Sequence, residues 1–248
     1  QAMDLSHRYP GLLGVSYGVP VRDGNLAAVR DRLLAEHPDL RPALHPGTGF
    51  PDDAIVLFAE PEERNAAALG FNSASSPDQR ESLIEARDSG EIRASPPMPV
   101  AQAPGAGPGL VLRLPIYEGL GEPADVASRR AAFSGYANAV FLWDRMAGDA
   151  TDRLALDGVR IRLHDVTDPA GPRLFLEGGS DLPPHWWTAL APDGITWQDE
   201  APFAGRRWRM DFAAGPSFFR PDEVWLPWMV GLASLLISAL LAALVRSV

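Results

Sequence analysis

Between Val224 and Val245 the chain carries no charged side chain. About 22 residues at about 1.5 Å rise per residue span roughly 33 Å as a helix, enough to cross the hydrocarbon layer of a bilayer. Trp225 and Trp228 stand at the start of this segment like an interfacial belt, and Arg246 follows its end. The alternative, a helix buried in a soluble core, seldom runs this long without a charge. The segment is therefore expected to be a transmembrane helix over 223–246, with whatever folds upstream tethered to a membrane. Gly231, Ser234, Ser238 and Ala242 recur at helical spacing, a small-residue stripe suited to packing against a second membrane helix, although Ala-rich helices also produce such stripes by composition.

The chain has 248 residues, enough for one large or two small domains with a sizeable core ahead of that helix. A formal net charge of -10 and the lack of a basic patch interleaved with aromatics argue against nucleic acid as a partner. Every cationic side chain is Arg, which reads as coding bias. Cysteine is absent, which removes disulfides, thiolate nucleophiles and Cys-type zinc sites without deciding the compartment. No charged n-region with an apolar h-region follows Gln1, so no signal peptide is read there, and an upstream membrane segment is expected to precede this chain.

The most strongly punctuated element lies over 76–90. Ser76 is the N-cap, Pro77 suits the first helical position, Gln79 completes an S-x-x-Q capping box and Gly90 ends the helix. Leu83, Ile84, Ala86 and Arg87 form its apolar stripe, with Arg80, Glu81, Glu85 and Asp88 facing water. A second helix is expected over 25–37, with Leu26, Val29, Leu33 and Leu34 on one face. Strands are expected at 11–20, 54–59, 109–117, 159–166, 173–177, 195–199 and 206–213, the last with Trp208, Met210 and Phe212 alternating against Arg207, Arg209 and Asp211. Residues 127–146 fit a helix by pattern. The stretch 96–108 is rich in Pro, Gly and Ala and reads as a linker, placing a domain boundary near residue 107.

No catalytic constellation stands out. The five histidines lack metal-ligand spacing, and no nucleophile elbow, Walker loop or dinucleotide fingerprint occurs. Asp52–Asp53 and Glu62–Glu63 are paired acids in loops, where solvated surface is the more common state. The His185-Trp186-Trp187 run sits beside Pro183 and Pro184 and reads as a packed turn or membrane-facing edge. No catalytic residue, cofactor or metal is assigned.

The order of four runs carries a resemblance: F-A-E-P-x-x-x-N-x-x-x-L-G-F-N from Phe58, R-E-x-x-x-x-A-R-D-S-G from Arg80, A-S-P from Ala94 and G-L-V-L-R-L-P-I-Y from Gly109. With R-R-A-A-F-S-G-Y-A-N-A-V-F from Arg129 and V-R-I-R-L-H-D-V-T-D from Val159, the chain before residue 215 resembles the CHASE domain, an extracytoplasmic sensor module of membrane-bound histidine kinases, diguanylate cyclases and related receptors, including plant cytokinin receptors. The resemblance implies an α+β fold in which two PAS-like subdomains ride on a long N-terminal helix, followed by the transmembrane helix. Residues 1–10 would end the stalk helix, 11–106 form the membrane-distal subdomain and 107–222 the proximal one. It also turns residues 129–141 into a strand paired with 109–117.

A ligand site is implied in the distal half, lined by Leu57, Phe58, Ala59, Ile84, Ala94 and Ser95, with Glu60 or Glu63 as polar anchor for an adenine-type ligand. Asn65, Gly70, Arg80 and Gly90 are expected to hold the fold around it. Asn72 stands where the family pattern has Asp, and Ala94 where plant relatives carry a hydroxyl, which sets the chain apart from the cytokinin binders. The expected protein is a non-catalytic sensor, homodimeric, in the inner membrane with residues 1–222 periplasmic, signalling to an output domain beyond Val248. The alternatives are a membrane-anchored scaffold, favoured by a flat exposed apolar patch, and a periplasmic hydrolase; an enclosed cavity beside Leu57 and Ile84 would favour the sensor.

Overall fold

The computed structural model describes residues 9, 11–22, 24–38, 53–100, 102–119, 121–142, 145, 158–179 and 194–247. Of the stalk end expected at 1–10 all but Tyr9 lies outside them, as does His185 with its tryptophans. The described chain is α+β: two antiparallel sheets and a C-terminal apolar helix.

The first sheet runs in the order β2-β1-β5-β4-β3, from β1 (Leu12–Val21), β2 (Asp53–Glu60), β3 (Arg93–Ala94), β4 (Gly109–Tyr117) and β5 (Phe133–Leu142). Helix α1 (Leu26–Glu36) follows β1 and drives Leu33 into a cluster with Leu57, Ala59 and Leu69. After β2 comes the short α2 (Glu62–Asn65), and then α3 (Pro77–Ser89), which covers one face of the sheet. Ser76 Oγ accepts the Gln79 amide at 3.4 Å, Pro77 opens the helix, and Gly90 closes it at φ 78°, a left-handed cap that costs glycine least. Leu83 and Ala86 bury against Ala54, Phe133 and Tyr136, and the Tyr136 hydroxyl donates to the Leu83 carbonyl at 2.8 Å.

Two details of α3 differ from the sequence expectation. The Gln79 side chain does not return to the N-cap; it is buried and turned toward the sheet. Ser82 shares the buried face, while Ile84 is only half-buried. The apolar stripe missed them because polar groups can occupy an inward position when a buried partner satisfies them.

Residues 126–142 resolve a helix-or-strand ambiguity by being both. Helix α4 (Val126–Ala132) is capped by Asp125, whose carboxylate accepts the Ser128 amide at 2.8 Å, and β5 begins at Phe133. The expected pairing with 109–117 is present, from Gly109 opposite Leu142 to Tyr117 opposite Phe133. The boundary expected near residue 107 falls between β3 and β4, which pair with each other. Strands β1 to β5 all belong to the first sheet.

The second sheet has the order β7-β6-β9-β8, from β6 (Val159–Asp165), β7 (Arg173–Gly179), β8 (Ile195–Phe203) and β9 (Arg206–Ala214). Leu163, Phe175, Leu176 and Trp208 pack with Ala94 and Leu110 of the first sheet in one apolar cluster. The Ala94 amide donates to the Ala204 carbonyl at 2.8 Å, so β3 is tied to the β8–β9 turn by backbone as well as by burial. Helix α5 (Pro221–Ser247) leaves β9 after a short 3-10 turn. Val224 at its base is buried, but from Leu226 on its large apolar residues are exposed, Leu235 at 70 %, and none of its apolar window is buried among the described residues. A helix this apolar, whose apolar window is exposed among the described residues, is a candidate membrane span. Ser234 and Ser238 donate to the carbonyls four residues back at 2.8 Å, which satisfies their hydroxyls inside the helix.

Candidate functional site

A cavity of about 440 Å³ lies between the first sheet, α3 and the 96–105 loop. Its apolar lining comes from Val56, Phe71, Val100, Val111 and Val140, and its polar groups from Ser16, Ser73, Gln79, Gln102, Arg113 and Asn138. This mixture of apolar wall and few convergent polar groups is what small-ligand sites usually present. The loop that reads as a linker from its composition is the outer wall.

Arg113 sits at the polar end. It is 1 % exposed, on the strand face that looks toward α3. Its Nε donates to Ser82 Oγ at 3.1 Å, Nη1 to Asn138 Oδ1 at 3.2 Å and Nη2 to Gln79 Oε1 at 3.1 Å. All three partners are neutral. Among the described residues no carboxylate stands at ion-pair distance from it, and the cavity lining contains no Asp or Glu. Burial pushes the guanidinium down to about 10, which still leaves it a cation at neutral pH. Asn138 in turn donates through Nδ2 to Ser16 Oγ at 3.3 Å, extending the network to β1.

On the opposite face of the same sheet, Val15, Tyr17, Phe58, Leu112, Leu114 and Ala137 border a second, shallower cleft of about 480 Å³ that is almost wholly apolar. A third space of about 220 Å³ separates Asp78, Glu81 and Glu85 on the outer side of α3 from Asp168, Arg173 and Arg206 of the second sheet. Arg173 crosses it to Asp78 at 3.2 Å.

The expected ligand residues are not gathered in one place. Leu57 is fully buried in the cluster under α1, Ala94 is buried in the cluster that joins the sheets, and Ser95 is consumed by bonds to the Pro96 carbonyl and the Val111 amide. Phe58, Ala59 and Glu60 line the apolar cleft instead. Glu63 is exposed on α2, and Ile84 is half-buried on α3. None of the eight lines the 440 Å³ cavity, and neither Leu57 nor Ile84 borders either cleft on the sheet.

Of the residues expected to hold the fold, Asn65 donates to the Leu13 and Pro61 carbonyls at 3.2 and 2.9 Å, and Arg80 Nε donates to the Ala74 carbonyl at 2.7 Å. The Gly70 amide donates to the Val56 carbonyl at 2.9 Å. Asn72 is fully buried, donating to Asp53 Oδ1 at 2.9 Å and accepting the Ala74 amide at 2.9 Å, so its side chain serves the loop backbone.

Sequence reasoning missed Arg113, Asn138 and Ser16. The available signal was phase: in Leu110-Val111-Leu112-Arg113-Leu114 the arginine shares the side of Val111, and a charge in phase with a buried face is unusual.

The sequence matches the family described as the CHASE domain over residues 1–176. No curated protein matches. Among solved structures, an extracellular ligand-binding receptor from Desulfohalobium retbaense is similar at 9 % identity and a TM-score of 0.44, covering 65 % of this chain and 28 % of its own length. The ligand-binding domain of the Pseudomonas aeruginosa amino acid chemoreceptor PctC, in complex with GABA, is similar at 10 % identity and a TM-score of 0.38, covering 86 % of this chain and 77 % of its own. The chain thus spans about 28 % of the first of these receptors.

Proposed function

We propose, because this chain belongs to the CHASE domain family and is a sensor domain of that family, that it binds a small ligand in the cavity between the first sheet and α3. Binding is reported through α5 to a cytoplasmic output domain, a histidine kinase or cyclic-dinucleotide enzyme. The observation that carries this reading is the 440 Å³ cavity whose one end is a buried polar network and whose outer wall is a loop.

The route of the signal follows from contacts. Ligand touching Gln79, or the Arg113 that holds Ser82, acts on α3 from the sheet side, while Asp78 on the same helix pairs with Arg173 of the second sheet. Strand β9 lies in the middle of that second sheet and leads into α5. A shift of α3 therefore bears on the sheet that carries the membrane helix. Ligand moves this equilibrium only by the difference in its affinity for the two arrangements. In this reading the part ahead of α5 is periplasmic, the protein sits in the inner membrane, and α5 pairs with its copy in a homodimer along Gly231, Ser234 and Ser238.

The test is a thermal-shift screen of the full chain in detergent against purines and small metabolites. A ligand at a hundred times its dissociation constant adds about 2.7 kcal/mol. The expected hit disappears in Gln102→Trp, which fills the cavity from the loop, and survives in Ile84→Trp, which lies off it. A hit with the reverse pattern would move the site to the residues expected from family resemblance.

An interaction role has one observation in its favour, the apolar outer face of the first sheet, where Phe58, Ile92 and Leu114 are exposed. Under that reading Leu114→Glu abolishes partner capture and leaves the ligand response unchanged.

A further inference from the structure

We infer that the cavity ligand is a small organic monocarboxylate with an apolar body, and that its carboxylate is held by Arg113. This deepens the sensor reading above and rests on it. Three observations converge.

First, the charge is there without a counter-ion among the described residues. A guanidinium removed from water ordinarily travels with a carboxylate, because an isolated buried charge is costly. Elsewhere in this chain that rule is kept: buried Arg87 bonds Asp88 at 2.7 Å, and the largely buried Arg206 bonds Asp165 at 2.6 Å. Arg113 instead bonds the neutral oxygens of Ser82, Asn138 and Gln79. In a chain of net charge -10, this cavity joins a buried cation to a wall that, among the described residues, holds no Asp or Glu, an environment suited to an anion.

Second, the donor count fits one carboxylate. A guanidinium offers five N–H groups. One on each nitrogen is engaged, so each terminal nitrogen keeps one N–H for a ligand oxygen, the number a carboxylate takes in a forked pair. Gln79, which also lines the cavity, belongs to the first turn of α3, the positive end of that helix.

Third, the remaining wall restricts the rest of the molecule. Val56, Phe71, Val100, Val111 and Val140 favour an apolar body. With no carboxylate among the described lining residues, a zwitterionic amino acid would leave its ammonium unmatched, so the body lacks one.

The experiment measures binding to the full chain in detergent micelles by calorimetry, with thermal shift as the second readout. The probes are three matched sets: phenylacetate with phenylacetamide, isovalerate with isovaleramide, and 3-phenylpropionate with phenylalanine. The expected result is a rise in Tm with at least one carboxylate, at least ~10-fold weaker binding of its amide or amino-acid counterpart, and ~10- to 100-fold weaker binding by Arg113→Gln, with Arg113→Lys retaining part of the affinity.

If Arg113→Gln does not fold, the amide comparison on the unaltered chain and the Gln102→Trp variant decide. Equal binding of carboxylate and amide, lost in Gln102→Trp, overturns the charge assignment and leaves the sensor reading standing. Binding of both that survives Gln102→Trp places the site elsewhere and overturns the inference. No response of a folded chain to any probe overturns it too, and if the purine and metabolite screen is also blank the sensor reading falls with it.

Discussion

Arg113 Nη2 donates to Gln79 Oε1 at 3.1 Å, joining the inner face of β4 to the first turn of α3. A cation in the sheet is thereby held by a neutral amide on the helix that also touches the second sheet. Charge on either partner is the most direct handle on the ligand-free and occupied states.

Gln79→Glu places a carboxylate where the amide oxygen now accepts. The new ion pair satisfies the buried guanidinium internally and raises the Tm of the ligand-free chain, by roughly 2–4 °C for each kcal/mol gained at this size. The same carboxylate repels an anionic ligand and weakens its binding at least ~10-fold. Thermal scans with and without phenylacetate check both effects; an unchanged Tm together with undiminished binding would remove Gln79 from the site.

Asp88 supplies a pH dependence. Hydrogen bonding from Arg130 and Arg87 holds its carboxyl down at about 2 against the usual 3.8. A carboxyl lowered in the folded state contributes stability that is present above the unfolded value and is lost as pH falls through the folded one. The chain is therefore expected to lose stability between about pH 4 and pH 2, and Asp88→Asn to be less stable than the parent at neutral pH and flatter across that window. Denaturant titrations at stepped pH measure the slope.

Leu83→Ala and Leu236→Ala remove the same atoms from opposite surroundings. Leu83 is 1 % exposed against Phe133 and Tyr136, and its truncation should cost about 2–5 kcal/mol. Leu236 is 58 % exposed on α5, and its truncation should leave the unfolding of the sheets within about 0.5 kcal/mol of the parent. Chemical unfolding followed by tryptophan fluorescence compares them; a large loss from Leu236→Ala would mean that α5 packs on the folded domain.

Asp165 is 1 % exposed and bonds Arg206 at 2.6 Å. Asp165→Asn strands a mostly buried guanidinium and is expected to cost about 3–5 kcal/mol. Unfolding of the variant gives the number, and near-neutrality would show that Arg206 reaches water without its partner.

Much of the architecture was legible because its signals are local. Ser76, Pro77 and Gly90 mark the ends of α3 by the hydrogen-bond and φ requirements of helix termini, which neighbours in sequence satisfy. Alternation of Trp208, Met210 and Phe212 with Arg207, Arg209 and Asp211 marks β9 in the same way, and the uncharged run from Val224 marks α5. The order of short motifs from Phe58 to Asp168 was enough to place the chain in its family.

The site resisted because it is built from partners far apart in sequence. Gln79, Arg113 and Asn138 meet only after β4 and β5 pair and α3 lies across them, with separations of 34 and 25 residues between the bonded pairs. The set around Leu57 and Ile84 was implied by the family resemblance, which carries no register of this chain's own strands. At the bulge between Tyr17 and Gly18, Phe58 pairs with Tyr17 and Val56 with Gly18, leaving Leu57 without a partner in the register and buried under α1.

By itself, then, the sequence determined the ends of α3, most of the strands, the apolar helix and the family, because hydrogen-bonding needs at helix ends and the period of apolar residues are written within a few positions. How the other strands divide between the two sheets, and that an arginine in β4 ends beside a cavity with no carboxylate among its described lining, was decided only by tertiary structure, because sheet registry and the burial of charge depend on contacts between residues tens of positions apart.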